Sequence, residues 1–302
     1  MKKSIIFSIL MIQALLTLGQ DLNINHYPFY RDGLNPGSFI QAPEVNVFLL
    51  YNNEFWGFAE EPQTQIVDVS VNLNDNKLGL MVYNDIIGHD IAQNIKLRYA
   101  RLFNLSDNSS FSLGLSTGAV HKRLQATKME FEDPSDPVHM NDYAHTVLDF
   151  DFGAELQLDK LIVGLSTNHL GKPISEFDEV NPVMHYYGYA QYTIPTRSFR
   201  FKPNVLMRYW KKTFWIEAGV LAFYKDQFWL GTSYTDYHDL NFMAGLKVLK
   251  NIHFGYAFKS NMNDQILSPW NTNSHEIFLT FGFGDGSGSG KYPNSVRNMF
   301  SN

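Results

Sequence analysis

The stretch from Thr146 to Leu158 alternates between apolar and polar side chains almost without error. Its apolar members are Leu148, Phe150, Phe152, Ala154, Leu156 and Leu158, and the positions between them are Asp149, Asp151, Gly153, Glu155 and Gln157. A period of two indicates an extended strand. Unpaired carboxylates cost several kcal/mol when buried, so we expect one face to meet water and the other an apolar medium. About ten residues also suffice for a tilted strand to cross the hydrocarbon core of a bilayer.

Similar strands recur about fourteen times between Val45 and Phe283. Polar turns separate many of them, such as Asn-Asp-Asn at 74–76, because these residues tolerate the left-handed backbone region. Bacterial outer-membrane barrels combine an even number of antiparallel strands with a polar interior and an apolar exterior. The sequence therefore predicts an all-β transmembrane antiparallel barrel of about fourteen strands over residues 44–284.

The lengths of the connections offer an independent check, because such barrels alternate short turns with longer loops. Long polar connections are predicted at 121–141 and 168–183. The connections near Lys211 and Asp236 are short where the alternation predicts loops. The competing fold is a secreted β-sandwich or several short sheets, which would have to pack all these one-sided strands into one unit without helices.

The two ends of the chain differ in composition from the barrel region. Residues 1–19 are typical of a signal peptide that is removed on export, with Lys2 and Lys3 before an apolar run. Residues 20–43 contain Asn, Pro and Gly without periodicity, and we predict an irregular segment that can plug the lumen. Residues 285–302 contain a Gly-Ser repeat and form a predicted flexible tail.

Composition excludes several classes of function. The chain has no cysteine, which excludes disulfides, Cys-ligated zinc and a thiol nucleophile. A formal net charge of -6 and a pI near 5.9 give no reason to expect nucleic acid as a partner. The 10 histidines are scattered without metal-ligand spacing. We therefore predict no metal, no cofactor and no nucleic acid.

Charged side chains recur on the predicted interior face of the strands. They are Lys96, Arg98, Asp149, Asp151, Glu155, Arg200, Lys202 and Arg208. These side chains could select a permeating ion, or they could pair across a narrow or filled lumen and brace it. Because both signs occur and neither dominates, we favour a bracing network.

A match to the G-x-S-x-G nucleophile pattern occurs at 114–118, with Ser116 at its centre. That motif activates a serine only on a strained turn between a strand and a helix. Here it lies within an alternating strand, and no helical pattern follows it. We interpret these positions as small residues lining a lumen and predict that the protein is not an enzyme. The enzymatic alternative is an outer-membrane hydrolase that uses Ser116 and the lumen carboxylates.

Several short motifs occur in a recognisable order. Asn35-Pro36 precedes the barrel, an aromatic loop at 53–58 is followed by Pro62, and a hairpin at 77–88 ends in Asn-Asp-Ile-Ile-Gly. In this order and spacing, the chain resembles the PorP/SprF outer-membrane proteins of the type IX secretion system. The resemblance runs from the mature N-terminus to the final strand.

The resemblance implies a barrel in the outer membrane of a Gram-negative cell, in contact with outer-membrane lipid and other type IX secretion components. It also implies a role in exporting or anchoring a specific secreted protein or adhesin, of the gliding type in some members, through the partner's C-terminal sorting domain. Candidate contact residues in the loops are Phe55, Trp56, Phe58, Pro62, Asp133 and Asp136. For Phe55 and Trp56, a place in the aromatic belt at the membrane surface is an equal alternative.

The second functional hypothesis is a channel for hydrophobic solutes that is similar to the long-chain fatty-acid transporters. Those proteins are also fourteen-stranded barrels, with an N-terminal hatch that contains an Asn-Pro element. This alternative predicts an apolar ligand pocket near Asn35 and Pro36. The carboxylates between Asp149 and Glu155 fit it poorly.

Overall fold

Antiparallel strands closed into a ring make up most of the described chain in the computed structural model. The structure describes residues 22–39, 43–57, 60–129, 142–170, 182–249, 251–262 and 273–284. The predicted signal peptide at 1–19 and the predicted tail at 285–302 lie outside the described residues. No helix among the described residues is long and apolar enough to span a membrane.

The ring contains fourteen strands, which confirms the predicted antiparallel barrel. They are β1 (Val45–Asn53), β2 (Gln63–Leu73), β3 (Asn76–Ile87), β4 (Asp90–Ser106), β5 (Ser109–Leu124), β6 (Tyr143–Leu158), β7 (Leu161–Asn168), β8 (His185–Tyr192, continued by Ile194–Pro195), β9 (Phe199–Trp210), β10 (Thr213–Tyr224), β11 (Phe228–Thr235), β12 (Asp239–Leu249), β13 (Ile252–Asn261) and β14 (Ser274–Phe283). Each strand pairs with its neighbours in the chain, and β1 pairs with β14 to close the ring. Two short 3-10 helices occur at Arg31–Gly33 and Ala126–Lys128.

The alternation in β6 separates its two faces as predicted. Leu148 is 60% exposed on the outside, whereas Asp149 beside it is 1% exposed on the inside. The same division runs through β4, where Leu97 is exposed and Lys96 is buried. Because every strand directs its exposed apolar side chains outward, the barrel carries an apolar belt that suits lipid.

The two rims of the barrel differ in their connections. One rim, here called the turn rim, has only short connections, at 74–75, 107–108, 159–160, 196–198, 225–227 and 250–251. The opposite rim, here called the loop rim, has long connections at 54–62, 125–142, 169–184 and 262–273, and short ones at 88–89, 211–212 and 236–238. The alternation of turns and loops therefore holds for most of the barrel. The exceptions are the three short connections on the loop rim, and the sequence already indicates two of them, near Lys211 and Asp236.

Residues 22–39 lie inside the ring and bury most of their side chains there. Leu34, Asn35 and Phe39 have no exposed surface. We call this segment the plug. Because it occupies the interior, the expectation that the polar face of β6 meets water is wrong: Asp151 is 5% exposed and Glu155 is 1% exposed. Protein side chains replace the expected water.

Candidate functional site: the filled lumen and the loop rim

Two glycines on neighbouring strands form the seat of the plug. Gly114 of β5 and Gly153 of β6 are register partners in the ladder. A Cβ added to Gly153 would lie 1.9 Å from Asn35 Oδ1, and one added to Gly114 would lie 2.1 Å from Pro36 O. Real Cβ atoms do not approach other atoms so closely, so these two positions require glycine for close approach of the plug backbone. The plug turn rests directly on the barrel wall.

Asn35 fastens that turn with both ends of its amide group. Its Nδ2 donates to Ala154 O at 2.9 Å and to Tyr189 Oη at 3.0 Å. Its Oδ1 accepts a hydrogen bond from Gly37 N at 2.8 Å, which closes the turn around Pro36. The side chain therefore satisfies its polar atoms while joining β6, β8 and the plug.

Glu155 is the main anion beneath the plug. Arg31 Nε lies 2.9 Å from Glu155 Oε2, which also accepts from the Tyr189 hydroxyl at 2.6 Å. Its other oxygen accepts from Gln157 Nε2 at 2.9 Å and from Phe39 N at 3.3 Å. A buried carboxylate is tolerated when it is paired and fully hydrogen-bonded, and Glu155 meets both conditions.

A second group of charges holds the middle of the plug. Lys77 Nζ lies 2.8 Å from Asp32 Oδ1, and Arg98 Nη1 donates to Asp32 O at 3.0 Å. Arg98 also pairs with Asp68 at 2.5 Å, and the Tyr30 hydroxyl donates to the same carboxylate. Burial alone would raise the pKa of Asp32, but Lys77 and Arg98 outweigh it and hold the pKa below its ordinary value. Burial raises the pKa of Tyr30, so its hydroxyl stays a donor.

A third group lies between β4, β6 and the end of β7. Lys96 Nζ is 2.7 Å from Asp149 Oδ2 and 2.7 Å from Asp151 Oδ2. His169 Nδ1 is 2.8 Å from Asp149 Oδ2, and the His169 N–H donates to Asp151 at 3.0 Å. The ligand atoms of Asp149, Asp151 and His169 lie within 4.8 Å of one another, a spacing that could hold a metal. The ammonium of Lys96 already supplies a cation between the two carboxylates.

The three predicted cations of β9 do not join these carboxylates. Arg200 pairs with Asp226, which lies in the turn between β10 and β11, at 2.6 Å. Lys202 lies over the ring of Phe223, 5.2 Å from its centroid. Arg208 lies over Trp215, with its guanidinium carbon 4.4 Å from the ring centroid. The predicted network of eight charges is therefore divided: those of β4 and β6 pair in the lumen, and those of β9 pack mainly on aromatic rings.

Several partners in these groups were not predicted from the sequence. They are Arg31, Asp32, Asp68, Lys77, His26 and Glu276, of which the last two form a buried pair at 2.6 Å. Asp68, Lys77 and Glu276 lie at inward positions of alternating strands, so the period of two could have revealed them. The plug residues follow no periodicity, and no local signal marks them.

An aromatic cluster also lies in the lumen. Phe29 of the plug lies 4.3 Å from Trp229 and 5.3 Å from Phe278, measured between ring centroids. Tyr30 stacks on Phe48 at 4.2 Å. These rings are all buried, so the lumen combines an apolar core with the three charged groups.

A family model described as type IX secretion system membrane protein PorP/SprF matches residues 17–281. The chain belongs to the PorP/SprF family. The matched residues include the plug and nearly the whole barrel. The match confirms the family resemblance noted above. A comparison with curated proteins finds no match.

Solved structures that resemble this PorP/SprF protein are bacterial barrels with little sequence identity. The CymD monoaromatic hydrocarbon channel is 12% identical with a TM-score of 0.52, covering 84% of this chain and 92% of its own. The Ralstonia pickettii toluene transporter TbuX is 8% identical with a TM-score of 0.50, covering 82% and 92%. The Acinetobacter baumannii outer membrane protein Omp33 is 8% identical with a TM-score of 0.49, covering 80% and 98%. At such low identity the likeness concerns the fold alone.

Among the predicted loop residues, three are described. Phe55 is 37% exposed and Trp56 is 53% exposed, and the Trp56 ring lies 5.1 Å from that of His275. Pro62 O accepts a hydrogen bond from Glu54 N at 2.9 Å. The other three residues, Phe58, Asp133 and Asp136, lie outside the described residues. The described part of this aromatic loop is thus held against the rim of the PorP/SprF barrel.

Glu54 connects that loop with the plug and the wall. Its Oε1 accepts from Asn23 Nδ2 at 2.6 Å and lies 3.3 Å from Lys259 Nζ. The start of the plug is therefore tied to the loop rim by a carboxylate that the sequence analysis did not select.

Ser116 lies in the middle of β5 and is 4% exposed. Its hydroxyl donates to Asp151, and no turn exposes it. This geometry differs from the strand-to-helix elbow that activates a nucleophilic serine. In this family member, Gly114 of the same motif contacts the plug.

Proposed function

We propose that this protein assists the export or the surface anchoring of one secreted protein or adhesin in the outer membrane, recognising the partner through its C-terminal sorting domain. Membership of the type IX secretion family supports a role in secretion. The observation that carries the proposal is the filled lumen, in which Asn35 and Arg31 join the plug to the wall. A barrel braced in this way acts through its rims rather than through an open pore.

The loop rim is the surface that we assign to the partner. In outer-membrane barrels the short turns face the periplasm and the longer loops face outward. Exposed aromatic side chains such as Phe55 and Trp56 are residue types that anchor protein interfaces. Pro62, Phe58 and the acidic pair Asp133 and Asp136 complete the set that we propose for partner contact. Other type IX components would bind the remaining surface.

The channel alternative receives less support from the same site. It expects an apolar ligand pocket beside Asn35 and Pro36. Among the described residues, that place is occupied by the backbone of Gly114 and Gly153 and by the hydroxyl of Tyr189. A proteoliposome assay of toluene uptake would test this alternative, and uptake above that of protein-free vesicles would favour it.

Affinity purification from native outer membranes tests the secretion proposal. The barrel would carry an affinity tag on the tail at 285–302 and be extracted in a mild detergent that keeps complexes intact. We expect one secreted protein with a C-terminal sorting domain to be recovered with it, as identified by mass spectrometry. A tagged, unrelated outer-membrane barrel from the same cells is the control. Recovery of the tagged protein alone would contradict the proposal.

A further inference from the structure

Five turns of the turn rim divide by charge into two groups. The turns at 74–75, 107–108 and 159–160 each contain one aspartate, namely Asp75, Asp107 and Asp159. Lys160, which follows Asp159 directly, is the one basic residue in these three acidic turns. The turns at 196–198 and 225–227 instead carry the exposed side chains of Arg197 and Lys225. We call these two turns the cationic turns.

The positive charge of the cationic turns is not neutralised by the protein itself. Asp226 is the one carboxylate in these turns, and it pairs with the inward Arg200 at 2.6 Å. Neither Arg197 nor Lys225 forms an ion pair within the described part of the chain. Two exposed cations are therefore available to a ligand from outside the protein.

Backbone hydrogen bonds fix the two cationic turns side by side. Lys225 N donates to Ser198 O at 3.2 Å, which joins one turn to the other. Thr196 N donates to Phe199 O at 2.7 Å, and Phe199 N donates to Thr196 Oγ1 at 3.1 Å, so the first turn is also closed on itself. The long side chains of Arg197 and Lys225 thus extend from neighbouring, ordered turns and can reach one anion together.

A row of aromatic side chains lies beside the cationic turns on the outer face of the barrel. Phe199, Tyr224 and Phe228 are the outward residues nearest these turns, and they are register partners on β9, β10 and β11. All three are exposed, and the ring centroids of Phe199 and Tyr224 lie 5.1 Å apart. Transmembrane barrels place such aromatic girdles at the two membrane surfaces. The cationic turns therefore lie at the height of the lipid headgroups.

Lys225 has a backbone conformation that its residue type rarely adopts. Its φ is 48° and that of Asp226 is 53°, the left-handed pair of a type I′ turn. The left-handed positions of two acidic turns are occupied by Asn74 and Asp159, residue types that tolerate this region better. The Lys225 ammonium lies 5.3 Å from the centroid of the outward Tyr224 ring. The turn alone does not account for a lysine at this position, whereas a ligand at the membrane surface does.

We propose that the cationic turns bind the phosphate group of an anionic phospholipid in the membrane leaflet at the turn rim. Lysine and arginine side chains at a membrane surface attract anionic headgroups, and both pair with phosphate oxygens. The phosphate lies between Arg197 and Lys225, and the acyl chains run along the aromatic row. The acidic turns repel the same headgroup, so the lipid is held on one side of the barrel. This site is separate from the loop rim that we assign to the exported protein.

Binding of phosphatidylglycerol to the purified full-length barrel in detergent tests the site, with native mass spectrometry as the readout. The double variant Arg197→Gln/Lys225→Asn removes both cations, and asparagine suits the left-handed turn. At about fivefold for each cation, we expect the double variant to bind phosphatidylglycerol about thirtyfold more weakly than wild type. Zwitterionic phosphatidylethanolamine is the headgroup control and should bind both proteins equally weakly.

Lys160→Asn is the matched control variant, because it removes an exposed lysine from an acidic turn of the same rim. We expect it to change the affinity for phosphatidylglycerol by less than about twofold, since Asp159 beside it already opposes the headgroup. The heat-dependent change in gel mobility that folded barrels show verifies that each variant is folded. Recovery of the exported protein should be the same for wild type and the double variant, which separates this inference from the proposed function.

Equal affinity of wild type and the double variant for phosphatidylglycerol would overturn the inference. An equal loss in Lys160→Asn would also overturn it, because the attraction would then belong to the whole rim rather than to the cationic turns. Binding of inorganic phosphate without a preference for phosphatidylglycerol over phosphatidylethanolamine would assign the turns to a free ion. If the double variant lost a periplasmic protein on affinity purification while lipid binding stayed unchanged, the ligand would be a protein instead.

Discussion

The absence of a side chain at Gly114 and Gly153 determines where the plug contacts the barrel wall. They lie opposite each other on β5 and β6, and their lack of a Cβ lets Asn35 and Pro36 lie against the sheet. Glycine weakens a strand by itself. Its presence at both positions is explained by the plug rather than by the strands.

Substitution of Gly153 by alanine should loosen the plug. The new Cβ would lie 1.9 Å from Asn35 Oδ1, so the turn must move and break the bonds of that amide. We expect a loss of about 1–3 kcal/mol in the free energy of unfolding, measured by urea titration in lipid vesicles. Gly188→Ala is the control, because its Cβ would meet only the flexible Leu165 side chain at 3.3 Å. Equal losses in the two variants would contradict this account of the seat.

Substitution of Lys96 by methionine should be among the most damaging single changes in the lumen. It leaves Asp149 and Asp151 buried without their shared cation. Breaking a buried pair in this way costs about 3–5 kcal/mol. The control is Lys122→Met, which removes a partly exposed pair with Asp90 and should cost less than about 1 kcal/mol. Similar unfolding midpoints for the two variants would show that the Lys96 group does not stabilise the barrel.

At the scale of the element, the plug stays in place through polar contacts distributed along its length. Glu276 binds His26 near its start, Lys77 binds Asp32 in its middle, and Glu155 accepts from Phe39 N at its end. The plug has only one turn of 3-10 helix, so its own backbone contributes little order. Its conformation is imposed by the inward side chains of the surrounding strands.

Acid should weaken the attachment of the plug through Asp32. Its pKa lies below the ordinary value of 3.8, so the ionised carboxylate stabilises the folded state above that pH. The stabilisation is lost as the pH falls through the lowered pKa. We therefore expect Asp32→Asn to be less stable than wild type near about pH 7, with a difference that narrows below about pH 4. Urea midpoints across this range give the measurement, and a constant difference would contradict the assignment.

A matched carboxylate outside the plug provides the control for this experiment. Asp159 lies in an exposed turn with a φ of 48°, a conformation that asparagine also adopts. Asp159→Asn removes one negative charge without touching the lumen. We expect its unfolding midpoint to stay close to that of wild type at each pH.

At the scale of the whole molecule, the apolar belt and the filled interior make the barrel a rigid body in the membrane. Exposed apolar residues occur on the outside of every strand except β1, whose outward side chains are half-buried, and the closed ring leaves no free edge within the belt. A rigid wall is a suitable base for loops that recognise another protein.

The position of the belt can be tested on β4, whose outward residues pass from the membrane into water. Leu97→Arg places a charge where the outward residues are most apolar, and it should destabilise the barrel by about 2–4 kcal/mol. Gln93→Arg on the same face, four residues nearer the loop rim, should cost about 0–1 kcal/mol. Both values come from urea titration in lipid vesicles. If Gln93→Arg were the more damaging variant, the belt would have to lie nearer the loop rim.

The sequence by itself determined the strands, their faces and the closed barrel. These features follow from local rules, because a period of two and a polar turn are visible within ten or twenty residues. The alternation of β6 therefore predicted both the lipid face and the inward carboxylates. The short motifs around Asn35 and Pro62 also sufficed to indicate the family.

Only the tertiary structure decided what fills the barrel and which charges meet. Arg31 and Glu155 are 124 positions apart in the chain, and Asn25 N bonds to Glu276 across 251 positions. No local pattern encodes such pairs, since ring closure and the course of the plug bring them together.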